Sequence, residues 1–385
     1  MEWITTDNVE KETWRRLLEF ANDEFSIAKI EERHGPINKK NEKNYKKQAT
    51  QIRLCLLQAK EYLDSCRNSS LITSPNLLYY SSVSLCSATM LINGTGNKSL
   101  DYLRAHGKAK NHGFSKVVEE KNFSEKTNLL NQVFLKIEKE GFFKEWYETM
   151  PKTEAQHTQF IQSDLDQGTL TGITSLGSST FVSFEAFLDQ AVSLIDLIKR
   201  IPDLSEDLRR LGIETPNSRM SEMIVNNNGH LQRSWNIHNC YSEAHLNGIL
   251  SEFVVHENPE KISFKTQISS NKKSAIVSIS YKNDTPLKYS SPESRWTTQG
   301  RTYCYPGGLE VPEIVDCFGI LYLLGMICRY YPDLWITTID RHAISSKIIE
   351  NTIETMKQKF PILALEILSK DRIVISPHLA PWQAR

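Results

Sequence analysis

A mainly helical α+β fold is what this sequence predicts, and three observations predict it. Apolar residues recur at steps of three and four through residues 14–92 and again beyond 311, the spacing of helices that bury one face. Between residues 212 and 310 the period drops to two, as in strands with one face on a core. The length, 385 residues, suffices for two or three packed units rather than one. The expected division is a helical bundle over 1–211, an antiparallel β region over 212–310, and C-terminal helices over 311–385 packed on the bundle.

Taken in order, Trp14, Leu17, Leu18, Ala21, Phe25 and Ala28 predict one amphipathic helix from about Glu10 to Ile30, ended by Gly35-Pro36. Tyr45, Ala49, Ile52, Leu56, Ala59, Leu63 and Cys66 hold the same spacing over about six turns and predict a second, long helix. Thr73-Ser74-Pro75 is a start signal, a cap followed by a proline in the first turn. The helix it opens runs Asn76–Ile92 and stops at Asn93-Gly94. Ser81, Ser82, Ser84, Ser87 and Ala88 are small enough to let a neighbouring helix approach closely, which puts this helix at the centre of the bundle.

Phe134–Trp146 mixes apolar and charged residues around Gly141 and fits neither period. Gln156–Ser179, rich in Gly, Ser and Thr, reads as a long loop. Phe184, Phe187, Leu188, Ala191, Ile195 and Ile198 predict a helix that stops at Ile201-Pro202. In the β region, Ile262, Phe264, Thr266 and Ile268 alternate with polar residues, as do Val277, Ile279 and Tyr281 after a turn at Ser269-Ser270-Asn271. That pattern predicts a hairpin with one buried face. Met220–Val225 and Phe253–His256 read as further strands. Val311–Trp335 predicts a helix apolar on all sides, and Ile348, Ile349, Ile353, Met356 and Phe360 continue the helical period.

Within Val311–Trp335 lies Cys317–Cys328, the one run apolar enough to raise the question of a membrane. A span needs about 20 apolar residues. This run is shorter and is bracketed by Asp316 and Arg329, so a buried core helix is expected and no membrane association. Lys plus Arg and Asp plus Glu both number 46. No net charge draws the chain to polyanions, and affinity for nucleic acid would need a local cluster of cations. Seven cysteines, no two separated by only two residues, fit free thiols, a cytoplasmic setting and no zinc site. The opening residues lack the basic-then-apolar pattern of a secretory signal. With no Gly-rich phosphate loop, no Gly-x-Ser-x-Gly and no His-Glu-x-x-His, neither a metal nor a cofactor is expected.

Three segments stand out: Leu77–Gly113, which opens LLYYSSVSLCSATMLINGTG and ends on His112-Gly113; Leu197–Leu204, LIKRIPDL; and Ile320–Trp335, ILYLLGMICRYYPDLW. Taken in this order they resemble the bacterial YaaC-like family. The resemblance extends from about Tyr45 to Trp335 and beyond, and it implies a shared fold more than a chemistry. The first segment is also similar to the core of HEPN domains, small helical bundles found among ribonucleases and toxins. The shared features are a helix opening on Tyr-Tyr, small residues along it, a Gly-rich turn, then His-Gly. This similarity implies a HEPN-like bundle from about Tyr45 into the expected helix Phe184–Arg200, and by itself implies no catalysis.

A HEPN-type ribonuclease uses an arginine and a histidine with four to six residues between them. The histidine moves the proton of the ribose 2′-OH or of the leaving oxygen, the arginine steadies the phosphorane charge, and no metal is needed. Arg104 and His112 stand in the expected place and are the candidate catalytic pair, with seven residues between them, one more than the pattern holds. Arg233–His238 and Arg372–His378 match the spacing, the first outside the bundle and the second interrupted by Pro377. Lys98, Arg104, Lys108, Lys110 and Lys116, with His106 and His112 and a single acid, Asp101, form the candidate RNA- or phosphate-binding cluster. Tyr102 and Phe114 are the rings on which a base would stack. The competing reading is a solvated loop balanced by acids such as Glu119-Glu120.

His112-Gly113 also has a structural reading, in which the histidine bonds a tyrosine hydroxyl such as that of Tyr80 and the glycine takes a backbone angle other residues avoid. Arg329, Tyr330 and Trp335 end the apolar helix and, with Tyr79 and Tyr80, are the candidate pocket or packed cap. There an arginine would stack on rings and pair with a carboxylate.

Two functions from different classes follow. One is a non-catalytic binding or scaffold subunit of a bacterial multi-protein assembly, holding a protein partner or RNA on its bundle, with self-association compatible. Stress response or phage defence would be its setting by analogy with HEPN proteins. The other is a metal-independent HEPN-type ribonuclease activated by a partner. Whether the chain is an enzyme turns on Arg104 and His112.

Overall fold

The structure, a computed structural model, describes residues 2–95, 99–108, 111–118, 129–151, 153–155, 178–188, 190–227, 230–255, 262–282, 289–307, 311–371 and 373–376. It is mainly helical α+β, as the periodicities predict. Strand β1 (Glu2–Thr5) leads into α1 (Val9–Glu19), capped by the Asn8 side chain, which accepts from the Lys11 amide. The single helix expected to Ile30 is two helices. Asn22 accepts from the Phe25 amide at 3.0 Å and caps α2 (Asp23–His34), with Asp23 and Glu24 in its electropositive first turn. A strong local start signal thus interrupts an apolar stripe that runs on across it. α2 ends at Gly35, as expected.

The long helices α3 (Glu42–Arg67) and α4 (Ser74–Asn93) pack closely. Ser81 of α4 donates its hydroxyl to the Ala59 carbonyl of α3 at 2.8 Å, an approach only a short side chain permits. The Gln48 amide donates to the carbonyls of Leu91 and Gly94, satisfying the end of α4. Next come α5 (Leu100–Ala105), β2 (Phe114–Val118), α6 (Leu129–Gln132), β3 (Val133–Ile137) and α7 (Phe142–Tyr147), so the stretch that fitted neither period is strand, turn and helix. β4 (Thr153–Ala155) and β5 (Ser178–Thr180) pair with each other, and most of the expected loop Gln156–Ser179 lies outside the described residues.

The helix expected from Phe184 to Ile198 is instead a 3₁₀ turn (Phe184–Phe187), β6 (Ala191–Ser193) and α8 (Leu194–Lys199). β6 pairs with β3, Leu135 opposite Val192, in the sheet β2-β3-β6. Pairing with a distant strand here overrides a helical spacing. A second 3₁₀ turn (Pro202–Leu204) and α9 (Ser205–Arg210) follow.

The β region holds β7 (Ser218–Asn227), β8 (His230–His238), α10 (Glu243–Leu250), β9 (Val254–Val255), β10 (Ile262–Ile268), β11 (Ala275–Lys282), β12 (Tyr289–Ser290), β13 (Ser294–Trp296) and β14 (Thr302–Cys304). Six of these form an antiparallel sheet in the order β10-β11-β8-β7-β14-β13. The expected hairpin is β10–β11, with Phe264 opposite Ile279. Its inner face is covered on β11 but on β10 only at Ile262. Val277 and Ile279 are buried with Trp235, Leu246 and Ile249, whereas Phe264 and Ile268 are exposed, because β10 is the edge strand with a neighbour on one side only.

Then come α11 (Glu313–Tyr330), α12 (Pro332–Arg341), α13 (Ala343–Ser369) and β15 (Ile373–Ser376), which pairs in parallel with β1. The helix expected across Val311–Trp335 breaks at Tyr331. Pro332 lacks an amide hydrogen and opens α12, whose axis turns by 106° from that of α11. Every residue of α11 from Glu313 to Ile327 is buried, packed against α4, α8 and α13. Among the described residues no single helix is long and apolar enough to cross a membrane. Side chains from Trp14 to Leu208 and from Val311 to Ile375 share one hydrophobic core, and Met220 to Cys304 contribute to a second.

Where the β region meets the helices, the contact is a buried set of charges. Lys359 of α13, 2% exposed, pairs with Asp203 and, at 3.0 Å, with Glu313 of α11, and donates to the Trp296 carbonyl of β13 at 2.8 Å. Asp203 also accepts from the amide and hydroxyl of Thr298 at 2.7 and 2.8 Å. Arg295 of β13 pairs with Asp316 of α11 at 2.8 Å and donates to the carbonyls of Arg200 and Val311 at 3.0 and 2.9 Å. Burial pulls the Lys359 ammonium down, but Asp203 and Glu313 more than offset it and keep it charged. Replacing Lys359 by Ala removes the one buried ammonium that Asp203 and Glu313 both face. The expected result is a loss of about 3–5 kcal/mol in unfolding free energy, read as a lower urea midpoint; an unchanged midpoint would mean that the pairs contribute nothing.

Candidate functional site

Tyr79 and Tyr80 are consecutive on α4 and therefore face different ways: Tyr79 is fully buried and Tyr80 half-buried. The Tyr79 ring packs on Phe318 and Tyr322 of α11, centroids 5.9 and 5.7 Å away. A Cβ on Gly325 of α11 would lie 3.0 Å from the Cβ of Tyr79, so the two helices approach over a glycine. The Tyr79 hydroxyl shares a 2.7 Å hydrogen bond with Nδ1 of His112. The histidine is thus tied to a tyrosine hydroxyl, but to Tyr79 and not to Tyr80, which faces the surface. Burial and the charge of Arg329 lower the His112 pKa, so the ring is neutral at pH 7.

The backbone around His112 is clamped. Carbonyls of Asn111 and His112 accept from the amides of Phe142 and Phe143 at 2.9 and 3.0 Å, at the start of α7. Gly113 has φ +82 and Gly141 φ +132, and a Cβ on Gly141 would lie 2.5 Å from the Gly113 nitrogen. Two glycines in conformations that L side chains avoid let the two segments meet backbone to backbone.

Outside this buried junction lies a layer of cations and rings. Arg329, in the last turn of α11, donates to the Tyr80 hydroxyl at 2.7 Å and sits over the Tyr330 ring, 4.9 Å from its centroid. Lys116 of β2 lies over the same ring at 4.5 Å and over Tyr331 at 5.2 Å. Tyr62 of α3 stacks on Tyr80 with centroids 5.6 Å apart. Tyr330 is 53% exposed. Two cations share one ring, and among the described residues no carboxylate forms an ion pair with either. The carboxylate expected beside Arg329 is replaced by the Tyr80 hydroxyl. Trp335 stands apart from this layer, fully buried in α12.

The other candidates are dispersed. Arg104, its side chain 68% exposed, pairs with Asp101 on its own helix at 3.1 Å, an acid that also holds Lys47. His106 packs on Tyr102, and Lys108 pairs with Glu140 at 2.9 Å. Phe114 is buried against Phe143 and offers no platform for a base. Lys98, Lys110, Arg372 and His378 lie outside the described residues. Arg233 is buried against Glu222 at 2.9 Å. His238, five residues along the same strand, points to the opposite face roughly 16 Å away, so that pair does not converge. Beside Arg200 and Asp316 a cleft of about 40 Å³, lined by Phe114, Leu135 and Val315 among others, holds a few waters at most. Small-molecule sites run to several hundred Å³.

Sequence reasoning missed the convergence of Lys116 with Arg329, because nothing local in either segment points to the other. It also missed Lys359, although a lysine directly before Phe360-Pro361 in an apolar helix is a visible anomaly.

A family model described as YaaC-like Protein matches residues 18–368. The chain belongs to the YaaC-like family. No curated protein and no solved structure matches it. In this YaaC-like protein all three segments that carried the resemblance fall within the matched range, and each supplies a structural contact. Leu77–Gly113 supplies Tyr79 and His112, Leu197–Leu204 supplies Asp203, and Ile320–Trp335 supplies Gly325 and Arg329.

Two outcomes are expected. In a proton NMR titration His112 has a midpoint below the ordinary value of about 6.5, and Arg329→Ala raises it. Because the unfolded chain takes up this proton more readily, the His112 contribution to stability is complete above about pH 6.5 and is lost as pH falls toward the folded midpoint. Gly113→Ala should destabilise by about 1–3 kcal/mol or more from the backbone angle alone, with a new Cβ 2.9 Å from Phe143 adding to it; a thermal melt matching wild type would contradict the clamp.

Proposed function

We propose that this YaaC-like protein works by binding rather than by catalysis, as a scaffold subunit of a bacterial multi-protein assembly. In this reading the bundle is HEPN-like, and the layer of Tyr80, Lys116, Arg329 and Tyr330 is the contact surface. The observation that carries it is that His112 and Arg104 are engaged separately, each with its own partner. The His112 Nδ1 is bonded to Tyr79 and its backbone is clamped to α7, which leaves only Nε2 for proton transfer. Arg104, the other half of the candidate pair, is engaged with Asp101 on α5. A partner-activated ribonuclease would have to release Arg104 from Asp101 and bring it to the Nε2 side of His112 before the two side chains could share a phosphate. Binding asks for less. It needs charge and rings held rigidly at the surface, and Arg329 and Tyr330 sit at the end of a helix whose body is wholly buried.

Side-by-side expression of wild type and His112→Ala tests the reading. Growth and ribosomal RNA are expected to be intact in both, and tagged wild type is expected to capture a partner that Arg329→Glu loses. RNA degraded by wild type and spared by His112→Ala would establish the ribonuclease instead.

A further inference from the structure

We infer that the layer at the end of α11 binds single-stranded nucleic acid, with a backbone phosphate between Arg329 and Lys116 and a base against the exposed tyrosines. The inference rests on the binding reading above and names its ligand. Lys116 and Arg329 lie 4.5 and 4.9 Å from the centroid of one ring. Among the described residues no acid forms an ion pair with either: Glu138, whose charge reaches Tyr322, and Asp333, four residues beyond Arg329, pair with neither, and Glu119-Glu120 lie outside the described residues. An anion at this layer gains two cationic partners. Arg329 spends one N–H on the Tyr80 hydroxyl, and its remaining donors have no protein acceptor among the described residues. The guanidinium fork matches two oxygens of a phosphate.

The rings decide what else the anion carries. Tyr330 is 53% exposed, and the Tyr62–Tyr80 stack is half-exposed beside Arg329. An acidic peptide would neutralise the cations and leave these faces unused, whereas a nucleotide chain brings a phosphate and a flat base every residue. The cations are also preorganised: Tyr80 and Tyr330 hold Arg329, and two rings hold Lys116, so little side-chain freedom is lost on binding. His112 sits behind the layer and already senses the charge of Arg329. A phosphate seated in front of it would raise its titration midpoint.

The test uses the full chain and fluorescein-labelled RNA and DNA of about 12 nucleotides, within the length such surfaces cover, followed by anisotropy against salt. Wild type is expected to bind; Arg329→Glu and Lys116→Glu should each weaken binding about tenfold and flatten the log–log salt slope by about 1. Arg329→Lys should retain part of the affinity, and Arg210→Glu, on the exposed face of α9, should retain all of it, with circular dichroism confirming that every variant is folded. Addition of a mononucleotide should raise the His112 midpoint in wild type and not in Arg329→Glu. Equal affinity in wild type and both charge reversals overturns the site. No affinity for either oligonucleotide, with partner capture still lost in Arg329→Glu, overturns this ligand and leaves the binding reading standing. Oligonucleotide bound and then cut supports the ligand and sinks the non-catalytic reading.

Discussion

The arrangement of this protein depends on one lysine. Lys359 is buried in an apolar helix and would be intolerable there alone, since an unpaired ammonium out of water costs more than any packing around it returns. Its partners come from elsewhere in the chain: Asp203 from the 3₁₀ turn after α8, Glu313 from the start of α11, and the Trp296 carbonyl from the sheet. Arg295 and Asp316 repeat the device a turn further along α11. Apolar surfaces can slide over one another at little cost, but a buried ammonium with three named acceptors cannot. Helices, sheet and C-terminal segment are therefore held in one relative placement, and that placement sets the end of α11 against α4 and β2.

The surface layer is a consequence. Arg329 and Tyr330 emerge where α11 leaves the core, and the 106° turn at Tyr331-Pro332 carries the chain away so that they stay exposed. Lys116 arrives on β2 because β2-β3-β6 packs against α11. The Tyr79–His112 bond beneath fixes the junction from behind, and the close approach of Gly113 and Gly141 leaves it no room to shift.

How much of this is legible in the sequence depends on the range of the interaction that decides each element. α3 and α4 are set by their own side chains and are found where their spacing puts them, within a few residues at the ends, and α11 follows its apolar run as far as Tyr330, where Pro332 turns the chain into α12. Their companions are decided by something else. Asn22 splits the first helix through a local cap that the stripe hides. Ala191–Ser193 becomes a strand because Phe134–Lys136, far off in sequence, offers it hydrogen bonds. Phe264 and Ile268 alternate correctly for a buried face, yet the period says nothing about how far the cover extends. The site divides in the same way. His112 bonded to a tyrosine and Gly113 in a left-handed conformation follow from residue chemistry, whereas Lys116 beside Arg329 follows only from the fold.

The larger hydrophobic core draws on both sides of the β region, and this has a consequence for how the chain acquires its shape. α4 packs against α3, which precedes it closely, and against α11 and α13, which are made more than two hundred residues later. During synthesis the N-terminal helices must wait with one flank bare while the β region, which has its own core, is completed. Only then can α11 slide in beside Tyr79, and the pairing of β1 with β15 closes the longest loop in the structure last. Such an order exposes apolar helix faces for the time it takes to translate the middle of the chain.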